Sequence, residues 1–206
     1  MATIASRFFG IEVSMWTPCR ARLFRKKPFR TYHKDDSMRT ELYWIEGPWL
    51  GRLAIMPRPR GGDWLEDEIQ SWRRSGVDVV VSLLTREEQT ELNLRDEEAL
   101  CRANSIEFVS YPIVDRSVPS SAEAFSEQVI NIAEQLANGQ NIAVHCRQGI
   151  GRAALVAICL LAVSGMAPAS AIERVGAARG CVVPETPEQR RWITDFAKSL
   201  VTGIPK

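Results

Sequence analysis

The sequence predicts an α/β fold, in which a mostly parallel central sheet carries helices on both faces within a single domain. Short apolar runs at 77–84, 106–113 and 141–144 alternate along the chain with longer helical patterns. The run at 77–84 is rich in valine and nearly continuous, which is typical of a strand buried on both faces of a parallel sheet. A chain of 206 residues with 45% apolar content is long enough for one hydrophobic core.

The first predicted elements are two short strands and a helix. Residues 42–46 and 50–55 read as strands because they combine apolar and aromatic residues on either side of a Gly-Pro turn signal at 47–48. A helix follows, which Asp63 is expected to cap and Gly76 is expected to end.

Serine, proline and glycine residues at the expected helix ends mark the remaining elements. Ser120 or Ser121 is expected to cap a long amphipathic helix that Gly139 ends, and a proline lies near the first turn of each of the last two helices. After the strand at 77–84 the expected elements are one or two helices within 86–104, a strand at 106–113, a helix at 120–138, a strand at 141–144, and helices at 153–164, 168–178 and 187–200.

Charge is unevenly distributed, although the net charge is only +1. Residues 1–37 contain eight Lys or Arg against three Asp or Glu, and the remainder of the chain is mildly acidic. We therefore expect a basic, poorly ordered N-terminal extension at 1–37, followed by one domain at 38–206. A balanced net charge does not favour nucleic acid as a partner, and we expect the extension to be unstructured rather than bound to lipid or nucleic acid.

The number and spacing of the cysteines indicate an intracellular protein, and the predicted location is cytoplasmic. Five cysteines form an odd number without regular spacing, in a chain larger than a disulfide-stapled small domain. Two histidines and no CxxC pair predict neither a metal site nor a cofactor. No membrane span is expected, because the longest apolar run, at 153–163, is about half of the ~20 residues needed, and no signal-peptide core is present at the N-terminus.

The most informative segment is 141–158, NIAVHCRQGIGRAALVAI. It places a short strand before Cys146, five residues between Cys146 and Arg152, and an apolar helix after them. Gly149 and Gly151 let the loop turn tightly and approach a ligand. Successive N–H groups of such a loop converge on an anion, and the helix presents its positive end to the same point. A Cys146 thiolate is stabilised there, and Arg152 at the rim can bind two phosphate oxygens.

Spacing alone is not specific, because Cys19 is also followed after five residues by an arginine, Arg25. The residues between them contain no glycine, no buried strand precedes them, and no apolar helix follows. We therefore interpret the first pair as a coincidence and the segment around Cys146 as the phosphate-binding loop.

Residues 145–152 resemble the His-Cys-x5-Arg signature of the protein tyrosine phosphatase superfamily. From about residue 79 to 200 the chain resembles its dual-specificity branch, and most of all the kinase-associated phosphatases and their bacterial relatives. Four phrases in a fixed order make the resemblance more specific than any one of them. They are VSLLTREE (81–88), PIVDRSVP (112–119), HCRQGIGR (145–152) and ETPEQRRWI (185–193).

The resemblance implies metal-independent hydrolysis of phosphate monoesters, with Cys146 as the nucleophile that forms a phosphocysteine and Arg152 as the residue that holds the phosphate. Asp115 is implied to be the general acid for the leaving oxygen, and later the base that activates water. By composition alone, Asp115 reads as a turn residue beside the helix that begins near Pro119.

Further positions take supporting roles from the same resemblance. His145 is implied to form a hydrogen bond to nearby backbone and to support the thiolate, and Gln189 to position the hydrolytic water. The residues implied to bind phosphate through backbone N–H groups are Arg147, Gln148, Gly149, Ile150 and Gly151.

Ala153 departs from the family pattern, in which the residue after the signature arginine is usually serine or threonine. That hydroxyl forms a hydrogen bond to the sulfur and helps it to leave. Ala153 has no side-chain donor, so the sequence predicts slow breakdown of the phosphocysteine.

The predicted activity is hydrolysis of phosphotyrosine and/or phosphoserine and phosphothreonine on proteins. One alternative is a lipid or nucleotide phosphatase, although phosphoinositide enzymes with this loop typically carry lysines in it and residues 147–151 contain none. Another is a phospho-binding module with weak turnover, which Ala153 favours and the intact Cys146, Arg152 and Asp115 disfavour; a structural protein with a chance motif is the third. The oligomeric state, and a resolving thiol for oxidised Cys146, stay open.

Overall fold

The computed structural model describes residues 40–202, with side chains described from 40 to 200. The expected extension at 1–37 and the Cys19–Arg25 pair lie outside the described residues. One five-stranded sheet runs in the order β1-β2-β5-β3-β4, in which β1 pairs antiparallel with β2 and all other pairs are parallel. The predicted mostly parallel sheet is therefore confirmed. The strands are β1 Tyr43–Ile45, β2 Leu53–Pro57, β3 Val79–Ser82, β4 Glu107–Ser110 and β5 Ile142–Cys146.

Every predicted helix is present, with ends that differ by a few residues. Gly76 follows the first helix with φ 84°, as its role as a helix end requires. Asp63 does not cap that helix, because it lies inside a 3-10 turn, Gly62–Trp64, that precedes it. No helix within residues 40–202 combines the length and apolar character needed to cross a bilayer. The helices are α1 Leu65–Arg74, α2 Arg86–Glu91, α3 Glu97–Ala103, α4 Ala122–Ala137, α5 Arg152–Val163, α6 Pro168–Arg179 and α7 Pro187–Thr202.

Side chains of the sheet alternate between two hydrophobic layers, because successive residues of a strand point to opposite faces. On β5, Val144 packs in the layer that contains α4, α5, α6 and α7, whereas Ala143 packs in the layer that contains α1 and α3. The helix α5 is buried on all sides from Arg152 to Ala162, because α4, α6 and α7 surround it. Helices therefore cover both faces, as predicted.

The carboxyl ends of three parallel strands meet at one edge of the sheet. The N–H of Leu83, just after β3, donates to the carbonyl of His145 on β5 at 3.0 Å, and the N–H of Ile113, after β4, donates to the carbonyl of Leu83 at 3.1 Å. Clefts at this edge are the usual ligand sites of open α/β sheets. The fold therefore brings the segment after Cys146 together with the segments that contain Glu88 and Asp115.

Candidate active site

A cavity of about 90 Å³ opens where β5 ends. At ~30 Å³ per water molecule, it has room for about three waters, which is comparable with one phosphate group. A larger groove of about 580 Å³ between β1 and α6 contains none of the predicted site residues. The small cavity is therefore the candidate active site. It is lined by Asp115, Arg116, Cys146, Arg147, Gln148, Ile150, Gly151, Arg152 and Glu185.

Cys146 is the last residue of β5, and its side chain is buried at the base of the loop. The N–H of Gly149 donates to Cys146 Sγ at 3.3 Å. Gly149 has φ 71°, and a Cβ at this position would lie 2.7 Å from the carbonyl carbon and oxygen of Met56 on β2. Only glycine fits such a close backbone approach. Because α5 begins at Arg152 with Gly151 as its N-cap, the positive end of the helix faces the loop.

Arg152 is buried inside the cavity wall, and it does not lie at the rim as the sequence led us to expect. Its Nη1 donates to the carbonyls of Leu83 at 3.3 Å and Ile113 at 2.8 Å. Nη1 and Nη2 donate to the two carboxylate oxygens of Glu88 at 2.7 and 2.9 Å, and Nη2 also donates to Asp115 Oδ1 at 2.6 Å. The acceptors come from three segments at the sheet edge and draw the guanidinium inward. Its Nε–H makes no hydrogen bond to the part of the chain between residues 40 and 200.

Glu88 is a site residue that the sequence reasoning missed. Burial would raise the pKa of Glu88, but hydrogen bonds from Arg152 and from the N–H of Thr85 outweigh it and hold the pKa below its usual value. Burial alone would lower the pKa of Arg152. The hydrogen bond to Glu88 and the nearby negative groups outweigh burial, so the pKa of Arg152 is raised. The sequence pattern that could have identified Glu88 is the capping box Thr85-x-x-Glu88 at the start of α2, which orients this carboxylate.

Asp115 lies in a turn, at residues 114–117, that leads away from β4. The N–H of Ser117 donates to the carbonyl of Val114 at 3.0 Å and closes the turn. The following residue, Arg116, has φ 59°, a left-handed conformation that favours glycine. Arg116 Nη1 lies 2.9 Å from Glu185 Oε1. The turn thus brings a partly exposed carboxyl group, Asp115, to the same cavity as Cys146.

His145 lies on the opposite side of the sheet from Cys146. Its Nε2 is 3.0 Å from Glu97 Oε1 on α3, and both side chains are buried. The two rings of His145 and Trp72 have centroids 6.4 Å apart. The implied hydrogen bond to nearby backbone is absent among the described residues, because neither ring nitrogen has a backbone partner there and the Glu97 contact lacks hydrogen-bond alignment. The partner of His145 is therefore a carboxylate that reads, in the sequence, as an exposed helix residue.

Gln189 is buried behind the cavity wall. Its Nε2 donates to the carbonyl of Ser117 at 3.1 Å, and its Oε1 accepts from the N–H of Thr186 at 3.3 Å. Both halves of the amide are therefore committed to connecting the Asp115 turn with α7. The same amide lies beside the loop, since a Cβ built on Gly151 would be 3.2 Å from Gln189 Nε2 and 3.3 Å from Gln189 Oε1. The role of Gln189 in positioning water stays a prediction, and Glu185 of the same segment lines the cavity.

Arg147 and Gln148, in the loop between Cys146 and Arg152, contact residues outside that loop. Arg147 Nη2 donates to Glu91 Oε1 at 2.5 Å, and this contact raises the pKa of Arg147 above its usual value. The carbonyl of Gln148 accepts from Arg179 Nη2 at 3.2 Å. Ile150 and Gly151 line the cavity directly.

The other cysteines differ in exposure. Burial, reinforced by Glu97, raises the pKa of Cys101, and burial alone raises the pKa of Cys159, so neither is a reactive thiolate near neutral pH. Cys181 is exposed. No cluster of three or more His, Cys, Asp or Glu side chains suited to a metal ion occurs in the described part of the chain.

Comparisons with known proteins identify the family of the chain. A family model described as "Polymorphic toxin system, DSP-PTPase phosphatase" matches residues 54–166. Cyclin-dependent kinase inhibitor 3 of Rattus norvegicus is 26% identical over 142 residues, which cover 68% of this chain and 66% of that protein. The match thus spans just under two thirds of the relative's length.

Two solved structures share the fold. A kinase associated phosphatase with serine in place of its catalytic-site cysteine has a TM-score of 0.71 at 19% identity, over 80% of this chain and 98% of that chain. Tk-PTP in its active form has a TM-score of 0.63 at 26% identity, over 76% of this chain and 96% of that chain.

Proposed function

This chain belongs to the family described as "Polymorphic toxin system, DSP-PTPase phosphatase", within the dual-specificity protein tyrosine phosphatases, and we propose that it hydrolyses phosphotyrosine and/or phosphoserine and phosphothreonine on proteins. The family consists of cysteine-dependent hydrolases. One observation carries the proposal for this chain. Cys146, Arg152 and Asp115 line a single cavity of phosphate size, although Asp115 is distant in sequence from the other two.

In the first step, Cys146 Sγ attacks phosphorus to form a phosphocysteine, and Asp115 donates a proton to the leaving oxygen. The loop N–H groups and Arg152 stabilise the phosphoryl oxygens as charge shifts. Arg152 has its Nε–H available for one oxygen. A second oxygen takes the place of Asp115 on Nη2, and this exchange frees the carboxyl group to face the leaving oxygen. Water then hydrolyses the phosphocysteine and regenerates the thiolate.

The charges around the cavity support a protein substrate over a phosphoinositide. Two arginines stand at the rim, but Arg147 is paired with Glu91 and Arg116 with Glu185. Their charges are therefore largely compensated within the protein. A headgroup with several phosphates needs uncompensated positive charge at this position, whereas a single phosphate on a peptide needs only the loop and Arg152.

A substrate panel tests the proposal. Phosphotyrosyl, phosphoseryl and phosphothreonyl peptides, inositides and nucleotides are incubated with wild type and with Cys146→Ser. The exposed Cys181→Ser is the matched control. We expect phosphate release from peptides by wild type and by the control, and none by Cys146→Ser, which should still bind vanadate. Activity confined to inositides or nucleotides would support the lipid or nucleotide alternative. Binding without release by wild type would support a phospho-binding module.

A further inference from the structure

The peptide unit between Gln148 and Gly149 makes a hydrogen bond on each side of the loop. Its N–H, on Gly149, donates to Cys146 Sγ at 3.3 Å. Its carbonyl, on Gln148, accepts from Arg179 Nη2 at 3.2 Å. The C=O and N–H of a planar trans peptide point in opposite directions. A donor that holds the carbonyl on the outside of the loop therefore keeps the N–H directed at the sulfur.

We propose that Arg179, held against the ring of Tyr43, is a positioning residue that fixes the orientation of this peptide and so supports the Cys146 thiolate. The inference deepens the proposed function and rests on it, because it takes Cys146 as the nucleophile. Arg179 acts through the peptide and lies outside the set of residues that line the cavity.

Gly149 does not fix the orientation of the peptide by itself. It has φ 71°, and glycine adopts positive and negative φ with similar ease. Rotation of the Gln148–Gly149 peptide would turn the carbonyl oxygen toward the cavity in place of the N–H. That oxygen carries partial negative charge and would disfavour a thiolate beside it. An outside donor to the carbonyl opposes this rotation.

Arg179 is itself held in place by its surroundings. It is the last residue of α6, and its guanidinium carbon lies 4.1 Å from the centroid of the Tyr43 ring on β1. A guanidinium over an aromatic face is attracted to it. Nε of Arg179 is buried and has no hydrogen-bond partner within residues 40–200. The guanidinium is thus enclosed between an aromatic ring and the loop carbonyl.

The preceding carbonyl of the loop also has a donor outside it. The N–H of Arg58, just after β2, donates to the carbonyl of Arg147 at 3.4 Å. That donor belongs to the backbone and is kept whatever the side chain at 58. The donor to the carbonyl of Gln148 is a side chain, so a substitution at Arg179 removes it and leaves the loop sequence unchanged.

The pH profile of Cys146 alkylation by iodoacetamide tests the proposal, because the thiolate is the reactive form. Mass spectrometry of the peptide that contains Cys146 separates its rate from that of the exposed Cys181. Arg179→Met keeps an apolar stem against Tyr43 and removes the donor. Since a hydrogen bond to the thiolate favours it, we expect the half-maximal rate to move to a pH about one unit higher, a tenfold change in the equilibrium. An unchanged profile would overturn the proposal.

Arg174→Met is the matched control. Arg174 lies on the same helix, is exposed, and donates through Nη1 to a different carbonyl, that of Glu46, at 3.1 Å. Its substitution removes the same charge and the same kind of hydrogen bond without touching the loop. The profile of Arg174→Met should match wild type, and an equal shift in both variants would overturn the proposal.

Salt separates an oriented peptide from a direct effect of the Arg179 charge on the sulfur. Added NaCl at about 0.5 M screens a charge outside the cavity, but it does not remove a hydrogen bond within the loop. The shift in Arg179→Met should therefore persist in salt, and a shift that disappears would overturn the proposal. The charged residues that line the cavity are kept in this variant: Asp115, Arg116, Arg147, Arg152 and Glu185.

Two substitutions of Tyr43 keep the test independent of whether Arg179→Met folds. Tyr43→Leu removes the ring beneath the guanidinium, so its profile should shift in the same direction by a smaller amount. Tyr43→Phe keeps the ring and should match wild type. An unchanged profile in Tyr43→Leu would overturn the proposal.

Hydrolysis of an aryl phosphate by the same variants separates this inference from the proposed function. On the acid side of the profile, Arg179→Met should lose about tenfold in kcat/KM, in step with its smaller thiolate population, and Arg174→Met should lose nothing. Hydrolysis by wild type together with wild-type profiles and rates in Arg179→Met would overturn this inference alone. A shifted profile in Arg179→Met, with no hydrolysis of any phosphate ester by wild type, would support the positioning role and overturn the proposed function.

Discussion

Glu88 accepts two hydrogen bonds from the guanidinium of Arg152, at 2.7 Å from Nη1 and 2.9 Å from Nη2. The same carboxylate accepts the N–H of Thr85 at 3.0 Å, in the capping box that starts α2. Arg152 is thus oriented by the start of a short helix before any substrate is present. Planar, bidentate pairs of this kind fix direction as well as charge.

Replacement of Glu88 by glutamine should therefore affect both stability and phosphate binding. Removing one partner of a buried ion pair typically costs about 3–5 kcal/mol. Because Asp115 still contacts the guanidinium, we expect the free energy of unfolding of Glu88→Gln to fall by about 3 kcal/mol, at the lower end of that range. Vanadate affinity should fall as well. Urea unfolding and vanadate titration measure the two effects. Glu87→Gln, exposed in the same helix, is the control, and equal losses in both variants would contradict the prediction.

Acid should remove the contribution of Glu88 to stability. Its pKa in the folded protein lies below the usual value of 4.5. A carboxyl group with a depressed folded pKa stabilises the fold above its unfolded pKa, and that contribution is lost as the pH falls through the folded pKa. We therefore expect the stability gap between wild type and Glu88→Gln to be constant from pH 7 to about pH 5 and to narrow below it. Urea midpoints across this range measure the gap, and a gap that does not narrow would mean that the Glu88 pKa is not depressed.

Asp115→Asn should slow hydrolysis most for substrates with poor leaving groups. General acid catalysis is typically worth about 10²–10⁴-fold, so we expect a loss in this range for alkyl phosphates such as phosphoserine. The loss should be smaller for aryl phosphates of acidic phenols. A series of phosphate monoesters that differ in leaving-group pKa measures the trend, with Asp67→Asn on the exposed side of α1 as the control. A small and equal loss across the series would make Asp115 a turn residue.

Ala153→Ser should speed the breakdown of the phosphocysteine. Ala153 is buried at the start of α5, and the donor to Cys146 Sγ found among residues 40–200 is the N–H of Gly149. A hydrogen bond to a charged group is worth roughly 1.5–3 kcal/mol, which is about ten- to a hundredfold in rate. Wild type should therefore show a burst of product, and Ala153→Ser a faster steady state. Rapid-quench kinetics measure both phases.

Ala154→Ser is the control for Ala153→Ser, because it places the same hydroxyl on another side of the same helix. No burst in wild type, together with no gain in Ala153→Ser, would mean that another donor already supports the sulfur.

The fold and the loop around Cys146 were predictable because their signals are local. The continuous apolar run that became β3, and the strand, glycines and helix around Cys146, are each contained within a short stretch of sequence. The helices were predictable from local capping residues, prolines and glycines. Asp63 is the exception, because it lies in a 3-10 turn where a helix cap was expected.

The carboxylates of the site were not predictable in the same way. Glu88, Glu97 and Glu185 read as exposed residues of helices and loops, because acidic residues are usually solvated. In the structure Glu88 and Glu97 are buried and Glu185 lines the cavity, and each pairs with a residue far along the chain. Glu88 pairs with Arg152, Glu97 with His145, and Glu185 with Arg116. The domain boundary at residue 38 and the cytoplasmic location stay predictions.

The alternation of side chains along β5 has a consequence for the pairing of that strand. His145 and Cys146 are neighbours on one strand and face opposite layers of the core. A slip of the strand by one residue would exchange them, so that the imidazole would occupy the place of the thiol. The pairing register of β5 therefore decides which of the two side chains faces the cavity, and only the observed register places the thiol there.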